Sequence, residues 1–528
     1  MARQDEPLTA NQGDRIILLL ERIAEALEHP KLSHNTTTIS NTIPRPNLGR
    51  YEQAEYPEIT FNVFFDRFNE SVTNPNGNGQ AQYPPNGSLK DHIWDTIFQR
   101  MKTHTFAIRA YDVKDYESAS KSFDENDVNI FPVDLWVDME FGKSISSISD
   151  NAKKLIADKK LSLFLCLMGE AFGCDYEDWI AKLSQAIIGH GLAQGKIAIS
   201  CADLRFPENY EEWSKDNTKI TSMFKFENIF PYEYFQLLYA EQFQARTGRW
   251  LPEGKPAKFG NIDALRPISE AEVMLSVPDG TTKTKDFLCM NARSRPHRIA
   301  MVSELHRLGL DNNFISLLFR GDDVDSIVNQ DGIINFIRNE YMDTEAKLNH
   351  FNTMFVKNRS KRKIILDADE AVHADDRILN TKYFDESYFS LVTETNFGVT
   401  LGEGQFHQES YNTTMFITEK TFKPIAYFHP IIVLGSPYTL AFLKDEGYDT
   451  FEEMFDESYD LILDPQERFN AVVTQVNNWC RKPEKEKREI YDSVKKKLHH
   501  NHCHFIGRFD TLRRREKNYY RYLGAKLR

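Results

Sequence analysis

The chain has 528 residues and a formal charge of −13 at neutral pH, too long for one core, so two or three domains are expected. A chain this acidic is not a bulk binder of nucleic acid or membrane. Its six cysteines, Cys166, Cys174, Cys201, Cys289, Cys480 and Cys503, show no CxxC spacing, and several sit inside apolar runs, as Cys166 does in LSLFLCLM, which suits buried free thiols in a reducing compartment.

No apolar run approaches the roughly 20 residues of a membrane span. The polar opening MARQDEPLTANQGD is not that of a signal peptide, so a cytoplasmic location is expected.

In chain order, Asp14–His29 carries apolar residues at helical spacing. It is a candidate for homo-oligomer formation or partner docking, and packing on its own body is the equal alternative. Pro30–Arg50 reads as a linker, Tyr51–Asn69 holds a short element, and Asn74–Ser88 (NPNGNGQAQYPPNGS) is a loop on composition. Residues 1–88 are therefore expected to precede the first domain. From Leu89 the pattern is regular: a helix in DHIWDTIFQRM, a strand at Phe131–Val137, a helix at Ile145–Asp158 and a strong strand at Leu161–Met168. A helix over Tyr176–Ile188 and a strand over Lys196–Cys201 follow. This strand–helix–strand order predicts an α/β domain over 89–285. Glu170, just past the Leu161–Met168 strand, sits where such folds aim reactive side chains. Asp203 and Glu227 are the next carboxylates in comparable places.

Gly254–Ser276 reads as a connector, and Asp286–Asn291 as the first strand of a second α/β domain, 286–480. It runs into Ala292-Arg293-Ser294-Arg295-Pro296-His297-Arg298 and a helix, Ile299–Leu308. Arginines at a strand-to-helix turn suit an anion, since the guanidinium fork and the helix N-terminus both favour phosphate. Arg295 and Arg298 are the chosen contacts; a solvated basic turn is the plain alternative. Phe314–Phe319, a helix over Asp325–Arg338 and a strand at Lys363–Asp367 come next, with Asp367-Ala368-Asp369 the nearest approach to a cation-binding DxD.

The stretch from Tyr388 to Phe451 is the most informative. Phe389–Thr393 (FSLVT) and Pro430–Leu434 (PIIVL) are short apolar runs without alternation, which suits strands buried on both faces of a parallel sheet. Between them Thr418 is placed to cap a helix over Glu419–Phe428. Pro437 opens another helix that Gly447 closes. Glu394, Asn396, Thr418, Glu419, Lys420 and Lys423 gather where the first strand ends and the helix begins, the ligand-binding edge of such sheets. Helices are expected at Pro465–Cys480 and Glu484–His500. The basic tail Arg481–Arg528 holds 16 Lys and Arg against 6 Asp and Glu. Its end, Arg513–Arg528 (RRREKNYYRYLGAKLR), mixes arginines with tyrosines, which suits nucleic-acid phosphates, an anionic membrane or a solvated helix face. The run His499-His500-Asn501-His502-Cys503-His504 fits no standard zinc spacing and is expected to be packing.

The pattern F-S-L-V-T-E-T-N, a loop, then F-I-T-E-K-T-F-K-P-I resembles the donor-binding signature of α-1,3-fucosyltransferases. The longer run ITEKTFKPIAYFHPIIVLGSPYTLAFLKDEGYDTF is similar to a fucosyltransferase-like family common in bacteriophage and other virus genomes. That resemblance implies a GT-B architecture: two Rossmann-like domains facing a cleft, here with an N-terminal helical appendage and C-terminal helices that cross back to the first domain. It implies an inverting, metal-independent glycosyltransferase that uses a nucleotide sugar as co-substrate and no other cofactor. Arg295, Arg298 and Lys420 would hold the diphosphate and Glu419 the ribose. Glu394 would line the sugar or position Lys420, and Asn396 and Thr418 would complete the donor site. Gly169-Glu170 is similar to the family's Gly-Glu pair, which makes Glu170 the base. The acceptor stays open among a glycan, a protein and a modified DNA base, and a viral relative would work in the host cytoplasm. The other readings are a non-catalytic nucleotide- or glycan-binding module with an assembly role, and a metal-dependent enzyme using Asp367 and Asp369.

Overall fold

A computed structural model describes residues 59–66, 101, 104, 106–135, 142–167, 176–223, 225–226, 228–231, 239, 277–278, 280–291, 295–317, 331–357, 364, 382–397 and 414–528. The expected helix at Asp14–His29, Glu170, Glu227 and the Asp367–Asp369 pair lie outside these residues.

Two all-parallel sheets organise the chain. The first has six strands: β1 (Thr60–Phe65), β2 (Ala107–Asp112), β3 (Asp127–Asp134), β4 (Ser162–Leu167), β5 (Ile197–Cys201) and β6 (Asn228–Pro231), in the order β2-β1-β3-β4-β5-β6. The second has four: β7 (Lys285–Cys289), β8 (Phe314–Ile315), β9 (Ser387–Thr393) and β10 (Ile431–Leu434), in the order β10-β9-β7-β8. In each, the first strand of the set has the second on one side and the third on the other. This reversal of winding is the topological switch point of a doubly wound sheet. It falls between β1 and β3 in the first sheet and between β7 and β9 in the second.

Burial on both faces explains the unbroken apolar runs. Along β4, Leu163, Leu165 and Leu167 face α1 (Asp150–Ala157) and α2 (Tyr176–Gly189), while Phe164 and Cys166 face the opposite core. Strand β9 is buried at all seven positions. The expected helix Ile145–Asp158 divides at Ser149. That hydroxyl caps α1 by accepting from Ala152 N at 3.2 Å, and the Asp66 carboxylate accepts Ser149 N at 2.8 Å. Aspartate past the end of β1 thus fixes where α1 starts.

Strand β1 sits between β2 and β3, with Phe61, Val63 and Phe65 in the core. The first sheet therefore begins at Thr60, ahead of the boundary expected at residue 89. A further helix, α3 (Phe206–Asp216), follows β5. In the second half, α4 (Pro296–Arg307) follows β7, α5 (Glu419–Ala426) joins β9 to β10, and α6 (Thr439–Asp445) follows β10.

Three helices finish the chain. α7 (Pro465–Cys480) and α8 (Glu484–Gly507) contribute Trp479, Tyr491, Val494 and Leu498 to the core of the second sheet. α9 (Phe509–Leu527) leaves that core and lays Tyr519, Tyr520, Leu523 and Leu527 on the free face of the first sheet. Tyr519 Oη donates to Ser200 Oγ at 2.9 Å, Ser162 Oγ donates to Leu527 O at 2.9 Å, and His104 Nε2 meets Glu516 Oε2 at 2.7 Å in a buried pair. The tail is thus no separate unit. The tyrosines offered for stacking on nucleic acid at Tyr519 and Tyr520 are inside, because the apolar side of the helix is what closes the first core. The histidine run also packs: His500 donates to Gly447 O (2.9 Å), His502 to Ala426 O (2.8 Å) and His504 to Glu446 O (2.7 Å). They satisfy carbonyls at the C-terminal ends of α5 and α6, which helices leave open. Among the described residues no group of His, Cys, Asp and Glu is arranged to hold a metal.

The described cysteines Cys166, Cys201, Cys289, Cys480 and Cys503 are free, the first three buried. No described helix is long and apolar enough to cross a membrane.

Candidate functional site

The switch point of the second sheet gathers most of the residues singled out above. Glu394 follows the last residue of β9 and is wholly buried. Its two oxygens divide the work evenly. Oε1 accepts Thr418 N at 3.0 Å and Thr421 Oγ1 at 2.6 Å; Oε2 accepts Thr395 N at 3.1 Å and Thr418 Oγ1 at 2.7 Å. A buried carboxylate that accepts four hydrogen bonds is satisfied and fixed. Glu394 therefore clamps the N-terminus of α5 to the end of β9. Of the two roles offered for it, contact with a sugar or positioning of Lys420, the geometry carries the second.

The clamp presents two charged side chains. Thr418 caps α5 with its hydroxyl accepting from Lys420 N at 3.3 Å. Lys420 Nζ reaches Thr395 Oγ1 (3.2 Å), Thr418 Oγ1 (3.1 Å) and Glu419 Oε1 (2.9 Å). The side chains of Lys420 and Glu419 keep 26% and 11% of their surface in solvent, so a carboxylate and an ammonium stand side by side at the mouth of a helix N-terminus. The dipole of that helix end favours an anion. Asn396 is buried just beyond Glu394.

The β7–α4 turn closes the other side. Arg295 occupies the N-cap position of α4 in extended conformation, with Pro296 as the first helical residue; proline lacks the N–H that the first turn would leave idle. Arg295 is half-buried. Arg298 is 2% exposed and its Nη2 donates to Thr393 O and Glu394 O, both at 3.1 Å. His297 Nε2 donates to Glu394 O at 2.8 Å. Thus Arg298 and His297 stitch the start of α4 to the end of β9, and among the described residues of the turn Arg295 is the one with surface to offer. Burial, then the neighbouring Arg298, hold the His297 imidazole well below its usual range, and Arg295 and Lys420 push the same way. His297 is therefore held neutral, with Arg298, Arg295 and Lys420 all close enough to act on it.

Deeper in, Thr393 Oγ1 donates to Asn291 Oδ1, and Asn291 Nδ2 donates to Ser316 O at 3.0 Å, so the ends of β7, β8 and β9 share one polar network. His297 belongs to the basic turn already read as an anion site, but nothing in the local sequence marks Asn291 or Thr421 as parts of this unit. The only local hint is that each lies within a few residues of a strand end or a helix start.

The end of β5 in the first sheet also meets this region. Ala202 packs on Phe416, Leu204 lies in the core of the second sheet, Leu204 N donates to Met415 O (2.9 Å), and Met415 N donates to Asp203 Oδ1 (2.8 Å). Met415 is three residues before the Thr418 cap.

No protein-family model matches the chain, and no curated protein or solved structure matches it.

Proposed function

We propose that the chain is an inverting glycosyltransferase of GT-B type that takes a nucleotide-sugar donor at the switch point of its second sheet. One observation carries the reading: the buried Glu394 clamp leaves a paired Glu419 and Lys420 partly exposed at a helix N-terminus, beside the Arg295 turn. Such a pair serves two parts of one ligand. The Glu419 carboxylate accepts from vicinal ribose hydroxyls, and Lys420 with Arg295 and the α5 dipole neutralises a diphosphate. Fixed cations in a partly dry site stabilise a leaving diphosphate without reorganising as its charge develops. Arg298, held on the strand-end carbonyls, adds positive potential from behind. In support, both sheets share the doubly wound order, and α9 returns to the first sheet as the C-terminal helices of GT-B proteins do. The acceptor, a glycan, a protein or a modified DNA base, would approach from the first sheet.

The test is a thermal-shift and turnover screen against UDP-, GDP-, CMP- and dTDP-sugars, with and without EDTA. The expected result is a rise in melting temperature with one nucleotide class and slow release of the nucleoside diphosphate, both insensitive to EDTA, with the shift reduced and the release lost in Lys420→Ala. Donor binding with no release on any acceptor would favour a non-catalytic binding module. No binding of any nucleotide would refute the proposal.

A further inference from the structure

Two carboxylates of the first sheet keep a buried oxygen without a hydrogen-bond partner: Asp127, which opens β3 at the amino end of the strand, and Asp203, which follows β5 at the carboxyl end, where such sheets bind ligands. Asp203 leaves β5 at the strand's carboxyl end and is 1% exposed. Its Oδ1 accepts two N–H groups, Met415 N at 2.8 Å and Arg205 N at 3.0 Å. Its Oδ2 is buried and has no hydrogen-bond partner. Buried carboxylate oxygens are normally satisfied, and one that is not calls for a reason. The location offers one. The register sets Leu167 of β4 beside Cys201 of β5, so Asp203 emerges at the carboxyl edge of the sheet, beside the end of β4. It also lies against the chain that leads into the donor clamp. Three residues separate Met415 from Thr418, a reach of at most about 10 Å of extended chain.

We propose that Asp203 is the proton acceptor of the transfer reaction: Oδ1 is anchored on the Met415 and Arg205 amides, and Oδ2 takes the proton of the acceptor hydroxyl. This assignment rests on the glycosyltransferase reading given above. In the step, the hydroxyl oxygen bonds to the anomeric carbon while the bond from that carbon to the diphosphate oxygen breaks. The bonding pair leaves on the diphosphate, and the hydroxyl proton passes to Oδ2 and then to solvent. Burial raises the Asp203 carboxyl to about 7, against the two amide bonds and Arg205, with Glu208 adding a little to the rise. A base poised there is half ionised near neutrality and retains appreciable basicity. Among the described residues, the other titratable groups facing it are Arg205, Glu208 and the Cys201 thiol. Burial pushes that thiol to about 12, so it stays protonated. Met415 and Phe416, packed against this edge from the second half, bring no titratable side chain.

Asp203→Asn tests the assignment because the amide oxygen keeps both anchoring bonds and only Oδ2 changes. With the nucleotide sugar that stabilises the wild type, and water as acceptor, nucleoside diphosphate release should fall at least 100-fold. The donor-induced thermal shift should be unchanged. The wild-type rate should rise with pH through a limb near 7. A variant that keeps more than a tenth of the rate overturns the assignment and leaves the donor-binding reading intact. A variant that loses rate and donor-induced shift together overturns it in favour of a positioning role. If Asp203→Asn does not fold, the wild-type profile decides: a rate flat from pH 5.5 to 9 overturns it, and a limb near 7 that moves in Asp203→Glu supports it. A wild type that neither binds nor cleaves any nucleotide sugar removes the underlying reading and the assignment with it.

Discussion

Glu394→Gln is a small change in shape that should be costly. Each carboxylate oxygen accepts one backbone N–H and one threonine hydroxyl. Whichever way the glutamine amide is placed, its NH2 faces either Thr418 N or Thr395 N, and a backbone donor cannot reverse. One buried N–H then loses its partner, at about 1–3 kcal/mol. The other bonds lose their charge assistance, worth about 1 kcal/mol more in sum. The hydroxyls give partial relief: Thr421 can turn to donate elsewhere, but Thr418 Oγ1 is held as acceptor by Lys420 N and Nζ. A net loss of about 3 kcal/mol follows, or about 6–12 °C for a unit of 150–250 residues. The assay is hydrogen exchange across 415–426, read beside calorimetry. The amides of Thr418 to Phe422 should exchange faster by roughly two orders of magnitude, and the second-sheet transition should move down. Thr421→Val, which removes one hydroxyl donor and leaves both backbone bonds, should cost about 1 kcal/mol. A Glu394→Gln protein with wild-type exchange at Thr418–Phe422 would refute the idea that this carboxylate holds the helix to the strand.

Lys420→Ala should weaken donor binding by about 10–100-fold, the size of one charge-assisted contact. Its effect on unfolding should stay within about 1 kcal/mol, because the Glu419 pair is partly exposed. Gly524→Ala sets helix propensity against packing. The exchange favours alanine by about 1 kcal/mol, but the new Cβ would lie 2.6 and 2.9 Å from two Ile59 carbons, an overlap that costs about 1–3 kcal/mol. The second term should win, with a measured loss near 1 kcal/mol by urea denaturation; a stabilised variant would mean that α9 is not seated on β1. Lys283 makes a prediction about pH. Burial pulls its amine down to about 7, with Asp385 opposing, so from pH 7 to about 10.5 the unfolded chain holds the proton and the folded one does not. Folding stability should then rise with pH in that window, by up to about 1.4 kcal/mol per unit. Lys283→Met should remove that slope, and an unchanged slope would show that the amine is not neutral in the fold.

Much of the fold was legible because burial leaves a local trace. FSLVT, PIIVL and LSLFLC carry no polar alternation, and all three strands are buried throughout, β9 and β4 inside their sheets and β10 at the end of the described strand order. Thr418 was legible as a cap because the Thr-Glu-Lys opening meets the chemistry of a helix start. Pro296 was legible for the same reason at the next helix. What failed locally failed for physical causes. TFNVFF looked like a minor element since nothing in its flanks says that five other strands flank and extend it, and the domain boundary was set too late. The tail looked like a binding surface because charge dominates its composition. Yet α9 spends its apolar side, Tyr519, Tyr520, Leu523 and Leu527, on the first core.

The site divides the same way. Glu419 and Lys420 advertise themselves by type and position, and so does Arg295. The contacts that hold them are silent, because the partners are remote in sequence: 24 residues from Glu394 to Thr418, 97 from His297 to Glu394 and 212 from Asp203 to Met415. A glutamate written after a strand reads equally well as a ligand or as a strut; only the count of donors around its oxygens decides. For Glu394 that count is complete, which makes it a strut. For Asp203 one oxygen is complete and the other is bare, although both carboxylates follow strands and both are buried. That difference in satisfaction, invisible in the sequence, makes Glu394 a strut and is the ground on which proton transfer is proposed for Asp203.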